Sequence, residues 1–185
     1  MRMSALSTRR TAAKMTNAGE LVRLRSVQAS DHAPWLQMIN DPAVMDGLDR
    51  ALPATAEQHE RYIRANVTEN PNAVWFAVET LKDGKFAGIV WLWDVNNRHR
   101  RAEVRIAIAP AASGSGYGSD ALRALCGYAF HTLGLHKLYA YIHERNVRSR
   151  AAFERAGFSL EATLSGEAFW KGSYAAVWRL ARFSD

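Results

Sequence analysis

Cysteine is nearly absent from this 185-residue chain: Cys126 stands alone. No intrachain disulfide can form, and the sequence points to a reducing compartment, the cytoplasm. Cys126 closes the stretch Ala121-Leu122-Arg123-Ala124-Leu125-Cys126, whose apolar spacing is helical, so it reads as a small buried hydrophobe rather than a nucleophile. No apolar run approaches the roughly 20 residues that span a bilayer, so no membrane partner is expected. The six histidines are scattered and no Cys/His group has ligand spacing, so no metal is expected. Acids are missing from the start of the chain, where Arg2, Arg9, Arg10 and Lys14 precede the first carboxylate, Glu20. Residues 1–20, with Glu20 included, carry half of the formal net charge of +6. Elsewhere no basic stripe is interleaved with aromatics, and a nucleic-acid partner is not expected. Residues 1–19 also lack the apolar core of a secretory signal, and they read as a flexible basic extension.

What remains, residues 20–185, has the composition of one globular domain: the chain is 48% hydrophobic and 23% charged. Leu21-Val22-Arg23-Leu24-Arg25 alternates apolar and basic residues as a half-buried strand does. Ser30 or Asp31 can cap a helix whose apolar face is Trp35, Met38 and Ile39, and Asn40-Asp41-Pro42 should break it. Thr55 and Gln58 have capping-box spacing for a second helix. Two apolar runs, 74–78 and 86–93, flank Lys82-Asp83-Gly84-Lys85 as a hairpin. A strand over 102–109, a helix over 117–133, a strand over 136–143, a helix over 147–156 and two further strands complete the pattern. The order β-α-α-β-β-β-α-β-α-β-β predicts an α/β fold, a mixed sheet of about six or seven strands flanked by helices.

The densest signal is Ile106-Ala107-Ile108-Ala109-Pro110 running into Ser113-Gly114-Ser115-Gly116-Tyr117-Gly118-Ser119 and then an apolar helix. A strand ends at a proline, and a glycine-rich loop opens the next helix. Such a loop lets backbone N–H groups approach a phosphate, whose charge the helix dipole favours. By itself this pattern also occurs in ordinary turns. It is followed by Lys137-Leu138-Tyr139-Ala140-Tyr141-Ile142, by Asn146, and by Ala156-Gly157-Phe158.

Together these motifs resemble the GNAT superfamily of N-acetyltransferases over nearly all of the chain from Leu21 to Phe183. Within it they look most like the branch of ribosomal-protein N-terminal and spermidine acetyltransferases. Arg100-Arg101-Ala102-Glu103 and Leu133-Gly134-Leu135-His136-Lys137-Leu138-Tyr139 are similar to the polyamine enzymes. The resemblance implies acetyl-CoA as co-substrate and a primary amine as acceptor, either a small polyamine-like molecule or a peptide N-terminus. It also makes a homodimer possible. Ile106, Ala107 and Ile108 would offer backbone groups to the pantetheine arm, and residues 113–119 would cradle the pyrophosphate. Asn146, Ser149 and Phe153 would border the thioester. Three positions depart from the pattern: Ser113 stands where Gln or Arg is usual, Phe153 where a proton-donating tyrosine is frequent, and Ala175 where an acid commonly follows Gly-x-Tyr. Phe153 and Ser113 leave open an alternative, a non-catalytic acyl-CoA-binding module.

Acetyl transfer needs a deprotonated amine, a polarised carbonyl and a stabilised leaving thiolate. Glu103, on one strand face with Arg105, Ala107 and Ala109, is the expected base; a surface pair with Arg101 or Arg105 is the plain alternative. Ser149, one turn before Phe153, is the expected acid, with Tyr139 and Tyr141 in reserve. The acceptor site is expected from residues 45–52, the second helix, and the last strands near Phe169 and Trp170. The acids available there are Asp46, Asp49, Glu57, Glu60 and Glu167. Trp75, Trp91 and Trp93 are expected in the core.

Overall fold

Period-two apolar patterns set the strands, and the computed structural model, which describes residues 18–184, joins all of them in one sheet. The strands are β1 (Val22–Arg25), β2 (Val74–Thr80), β3 (Phe86–Asn96), β4 (Arg101–Ile108), β5 (Lys137–His143), β6 (Ser159–Trp170) and β7 (Ser173–Phe183). Their spatial order is β1-β2-β3-β4-β5-β7-β6. Neighbours run antiparallel except β4 and β5, which are parallel. The expected mixed α/β sheet of six or seven strands is therefore present, with seven. The anticipated basic tail falls outside the described residues as far as residue 17; Ala18 bridges Arg23, and the Gly19 N–H donates to the Val22 carbonyl at 2.8 Å.

Helices cover both faces. α4 (Tyr117–Gly127) and α5 (Val147–Arg155) pack over a core that includes Val90, Leu92, Ala102, Val104, Leu122 and Leu138. On the opposite face α1 (His32–Ile39) and α3 (Ala56–Ile63) cover Trp75, Ala77, Ile89, Trp91 and Ala107. Trp75 and Trp91 stack with centroids 4.5 Å apart and planes 9° from parallel, so these tryptophans belong to the core as expected. Thr55 and Gln58 do form the reciprocal capping box at the start of α3.

The expected break at Asn40-Asp41-Pro42 is present, and it is also a helix start. Asn40-Asp41-Pro42 ends α1, but the Asp41 side chain accepts from the Ala43 N–H and Pro42 occupies the first turn of α2 (Pro42–Gly47). Proline lacks only a donor that a first turn leaves free, so Asp-Pro opens a helix as readily as it closes one. The helix expected over 117–133 ends its regular part at Gly127 and continues as one wide π-type turn, Tyr128–Thr132, before Gly134.

Asp120 joins the start of the chain to α4. It is fully buried, and its carboxylate accepts from the backbone N–H groups of Glu20 (3.1 Å), Leu21 (2.7 Å) and Val22 (3.0 Å) and from Arg123 (2.9 Å). Burial pushes its carboxyl upward, but the hydrogen bonds from Leu21, Glu20, Val22 and Arg123 outweigh burial and hold it below the usual carboxylate range. β1 is thereby fixed beside the first turn of α4.

Candidate active site

β4 and β5 pair through Arg101–Lys137, Ala102–Leu138 and Glu103–Tyr139, and then part. Beyond that point β4 keeps its β3 partners as far as Ile108, so its β5-facing backbone groups border a cleft. A cavity of about 610 Å³ occupies this cleft. It is bounded by residues from both faces of the sheet: Val44, Gly47 and Leu48 from α2 and its end on one side, and Gly118, Ser119, Ser149 and Ala152 from α4 and α5 on the other. Parting strands thus open a passage through the sheet.

At one end of the cavity stands the glycine loop. Gly114 and Gly116 have φ of +83° and +81°, a backbone state that glycine adopts without steric cost. Gly116 is the N-cap of α4 and, without a side chain, leaves the first N–H groups of the helix without a side-chain cap. Those donors and the helix dipole are suited to an anion. Arg148 and Arg155 also line the cavity, and Arg155 Nε donates to Ser119 Oγ at 3.2 Å. A cradle of donors plus two guanidiniums suits the phosphates of a nucleotide-linked thioester, and the strand edge suits the amides of its arm.

The expected cofactor contacts converge well. Ile106, Ala107, Ile108, Ser113, Gly114, Gly116, Tyr117, Gly118, Ser119, Asn146 and Ser149 all line the cavity. Ser115 and Phe153 do not: Ser115 is exposed in the loop, and Phe153 is 2% exposed, packed edge-on to Phe158 at 5.0 Å. Phe153 turns into the core, whereas Ser149, one turn before it, lines the cavity, and Ala152 both lines the cavity and packs against that core. Asn146 accepts from the Ser149 N–H at 3.0 Å and caps α5, which leaves the Ser149 hydroxyl free of the capping task.

Glu103 stands in the last β4–β5 pair, where the strands begin to part, but does not itself line the cavity, and it is 8% exposed. Arg105 grips both its oxygens, at 2.6 and 3.2 Å. Tyr139 is buried opposite, and burial pushes its hydroxyl above the ordinary tyrosine range. Tyr141 is exposed.

The acids expected around the acceptor separate into two groups. Asp46 and Asp49 meet Arg145 at 3.7 and 3.9 Å, and the Arg145 guanidinium lies 3.9 Å above the Trp170 ring. Residues far apart in sequence, from α2 to the β6–β7 hairpin, thus join at the cleft mouth as anticipated. Glu57 and Glu60 instead pair on α3 with Arg61 and with His32 of α1, and Glu167 is exposed. Sequence reasoning missed Arg145, Arg148, Arg155 and the α2 wall. Arg148 and Arg155 were readable: seven residues is two helical turns, which puts both on one face of α5.

The sequence model of the acetyltransferase (GNAT) domain matches residues 22–159. A spermidine N(1)-acetyltransferase of Escherichia coli K12 is 31% identical over 163 residues, covering 88% of this chain and 86% of the relative. A Vibrio cholerae enzyme of the same name is 36% identical over 93 residues, half of this chain and 54% of its own. The crystal structure of spermidine N-acetyltransferase from Vibrio cholerae, in complex with CoA and spermine, superposes with a TM-score of 0.80 at 26% identity, over 88% of this chain and 95% of that one. The parted strands, the uncapped helix start and these matches agree: this chain belongs to the GNAT acetyltransferase family and is an acetyl-CoA-dependent N-acetyltransferase.

Proposed function

We propose that the transfer takes place where β4 and β5 part, with the acceptor amine entering from the Glu103 side and the co-substrate from the α4 side. The observation that carries this reading is the single cavity that touches both faces of the sheet at that point. Acetyl-CoA supplies the acetyl group as an activated thioester. The α4 N-terminus, Arg148 and Arg155 hold its phosphates, and the free edge of β4 at Ile106–Ile108 pairs with its arm and presents an N–H to the carbonyl oxygen. Phosphate affinity does not need a side chain at position 113 when backbone donors and two arginines are at hand.

Glu103 draws the proton from the incoming ammonium through a water at the cleft apex, and Arg105 holds the carboxylate in orientation. Ser149 Oγ, which lines the cavity on α5, relays to the departing thiolate the second proton that the amine nitrogen gives up as its bond to the carbonyl carbon forms. The acceptor is a small primary amine, in keeping with the spermidine named for the relatives; a peptide N-terminus is the second acceptor class. The reading extends to a cytoplasmic protein, supported by the lone buried thiol of Cys126. It extends also to a homodimer, for which the β6–β7 hairpin offers the exposed pair Phe169 (65%) and Tyr174 (75%).

Thiol release from acetyl-CoA against a panel of amines tests the assignment. Glu103→Gln should lower kcat by about 100-fold or more, within the range of acid–base contributions, and Ser149→Ala by about 10-fold, below that range because a thiolate is already a fair leaving group. Turnover within about twofold of the parent in both variants would place these roles elsewhere, since losing a true proton carrier costs more than that.

A further inference from the structure

Arg145 sits against an aromatic ring and two carboxylates at the mouth of the cleft. Its guanidinium lies 3.9 Å from the Trp170 ring centroid, with Nε 3.7 Å from Asp46 Oδ2 and Nη2 3.9 Å from Asp49 Oδ1. Nη2 also donates to the Asp46 carbonyl at 3.3 Å. Two carboxylates around an aromatic face are the usual recognition set for an ammonium. The set stands at the cleft mouth: Gly47 and Leu48, between the two aspartates, and Asn146, next to Arg145, all line the cofactor cavity. A Cβ on Gly47 would lie 3.5 Å from Asn146 Nδ2, so the two walls touch. Asp46 Oδ1 is buried with no hydrogen-bond partner among the described residues, which leaves that carboxylate unsaturated even with Arg145 in place.

Two other carboxylates on this face of the sheet are matched in the same way. Glu103 is held by Arg105, and Glu161 by Lys137 and by Arg179 at 3.1 Å. Lys171 Nζ adds a further positive charge 5.2 Å from the Trp170 ring. An amine that carries one ammonium loses it on transfer and needs no partner beyond the apex. A diamine or polyamine keeps a second ammonium a few carbons away, and at this mouth it meets guanidiniums where it needs free carboxylates.

We infer that Arg145 is a specificity-determining residue that fills the second-ammonium subsite from within the chain, so that the preferred acceptor is a monoamine rather than a polyamine. The inference rests on the proposed transfer point at the β4–β5 cleft, and it separates this chain from the spermidine enzymes it resembles.

The test is thiol release from acetyl-CoA with butylamine, its length-matched diamine putrescine, and spermidine. The parent should show a kcat/KM for butylamine about 10-fold above that for putrescine, the scale of one cation–π contact at a partly desolvated site. Arg145→Gln should lower that butylamine-to-putrescine ratio by about 10-fold, through a fall in the KM for putrescine and spermidine. Arg145→Lys keeps the charge and should keep the parent ratio. Adding Asp46→Asn and Asp49→Asn to Arg145→Gln should remove the gained polyamine use. A parent that takes putrescine as well as butylamine overturns the inference while leaving the transfer point intact. So does an Arg145→Gln enzyme that loses activity toward all acceptors in equal proportion, because a purely structural clamp would do that. Absence of thiol release with every amine would overturn the transfer point and the inference with it.

Discussion

Replacing Asp120 with alanine removes the acceptor of three backbone N–H groups at 2.7–3.1 Å, with the residue itself fully buried. Each buried donor left without a partner costs about 1–3 kcal/mol, and lost hydrogen bonds to a charged acceptor lie in the same range. The N–H of Glu20 can recover water, because Glu20 is exposed, whereas Val22 is wholly buried. A total loss of about 3–5 kcal/mol follows, a large share of the roughly 5–15 kcal/mol available to a domain of this size. Asp120→Asn keeps one oxygen but turns an amide donor toward donors already in place, so about half that loss is expected. Urea unfolding followed by circular dichroism measures both. The sign with pH is fixed by the depressed folded-state carboxyl: its stabilisation is complete above the unfolded-state pKa and is lost as pH falls through the folded one. The parent should therefore lose stability on acidification more steeply than Asp120→Asn. A loss below about 1 kcal/mol in Asp120→Ala, or parallel pH profiles for parent and Asn variant, would refute the reasoning. Because Leu21 touches the loop at Gly116, weaker acetyl-CoA binding should accompany the instability.

Two further outcomes rest on other parts of the fold. A Cβ at Gly88 would lie 2.2 Å from the Ala107 carbonyl oxygen, so Gly88→Ala must displace the strand that lines the cleft. Calorimetry should show acetyl-CoA affinity falling by at least about 10-fold, or the chain failing to fold; parent-like affinity would mean that β4 does not hold the co-substrate. The Cys126 thiol, pushed up to about 11 by burial, should resist alkylation at pH 8 in the native protein and react once denaturant is added. Rapid labelling of the folded chain would contradict the packing around α4.

Much of this architecture could be read from residue order, because its signals are local. The Thr55/Gln58 box, the Asp83-Gly84 turn and the loop from Ser113 to Gly118 each lie within a few residues, and the structure has them as expected. Asp41-Pro42 ends the first helix as expected, but α2 was not legible there because the same two residues serve as a stop for one helix and a start for the next. The Phe153 pattern misled for a related reason. Sequence fixes its place on α5 but not which side of that helix meets the core. What could not be read was non-local. Asp120 finds its partners about 100 positions away, and Arg145 meets Asp46 and Trp170 through chain reversals on either side. No periodicity announces contacts of that kind, since they depend on how whole elements are placed.

The short parallel ladder between β4 and β5 has a mechanical consequence. Seven residue pairs join β3 to β4 and seven join β5 to β7, but only three join the two halves of the sheet. Deformation concentrates where fewest bonds resist it, so the halves should rock about the Glu103–Tyr139 line while each stays stiff. The phosphate cradle rides mainly on one half and the β6–β7 hairpin wholly on the other. A substrate arm bonded along the free edge of β4 would act as an eighth, temporary strand in this seam, bracing the protein for as long as the reaction lasts.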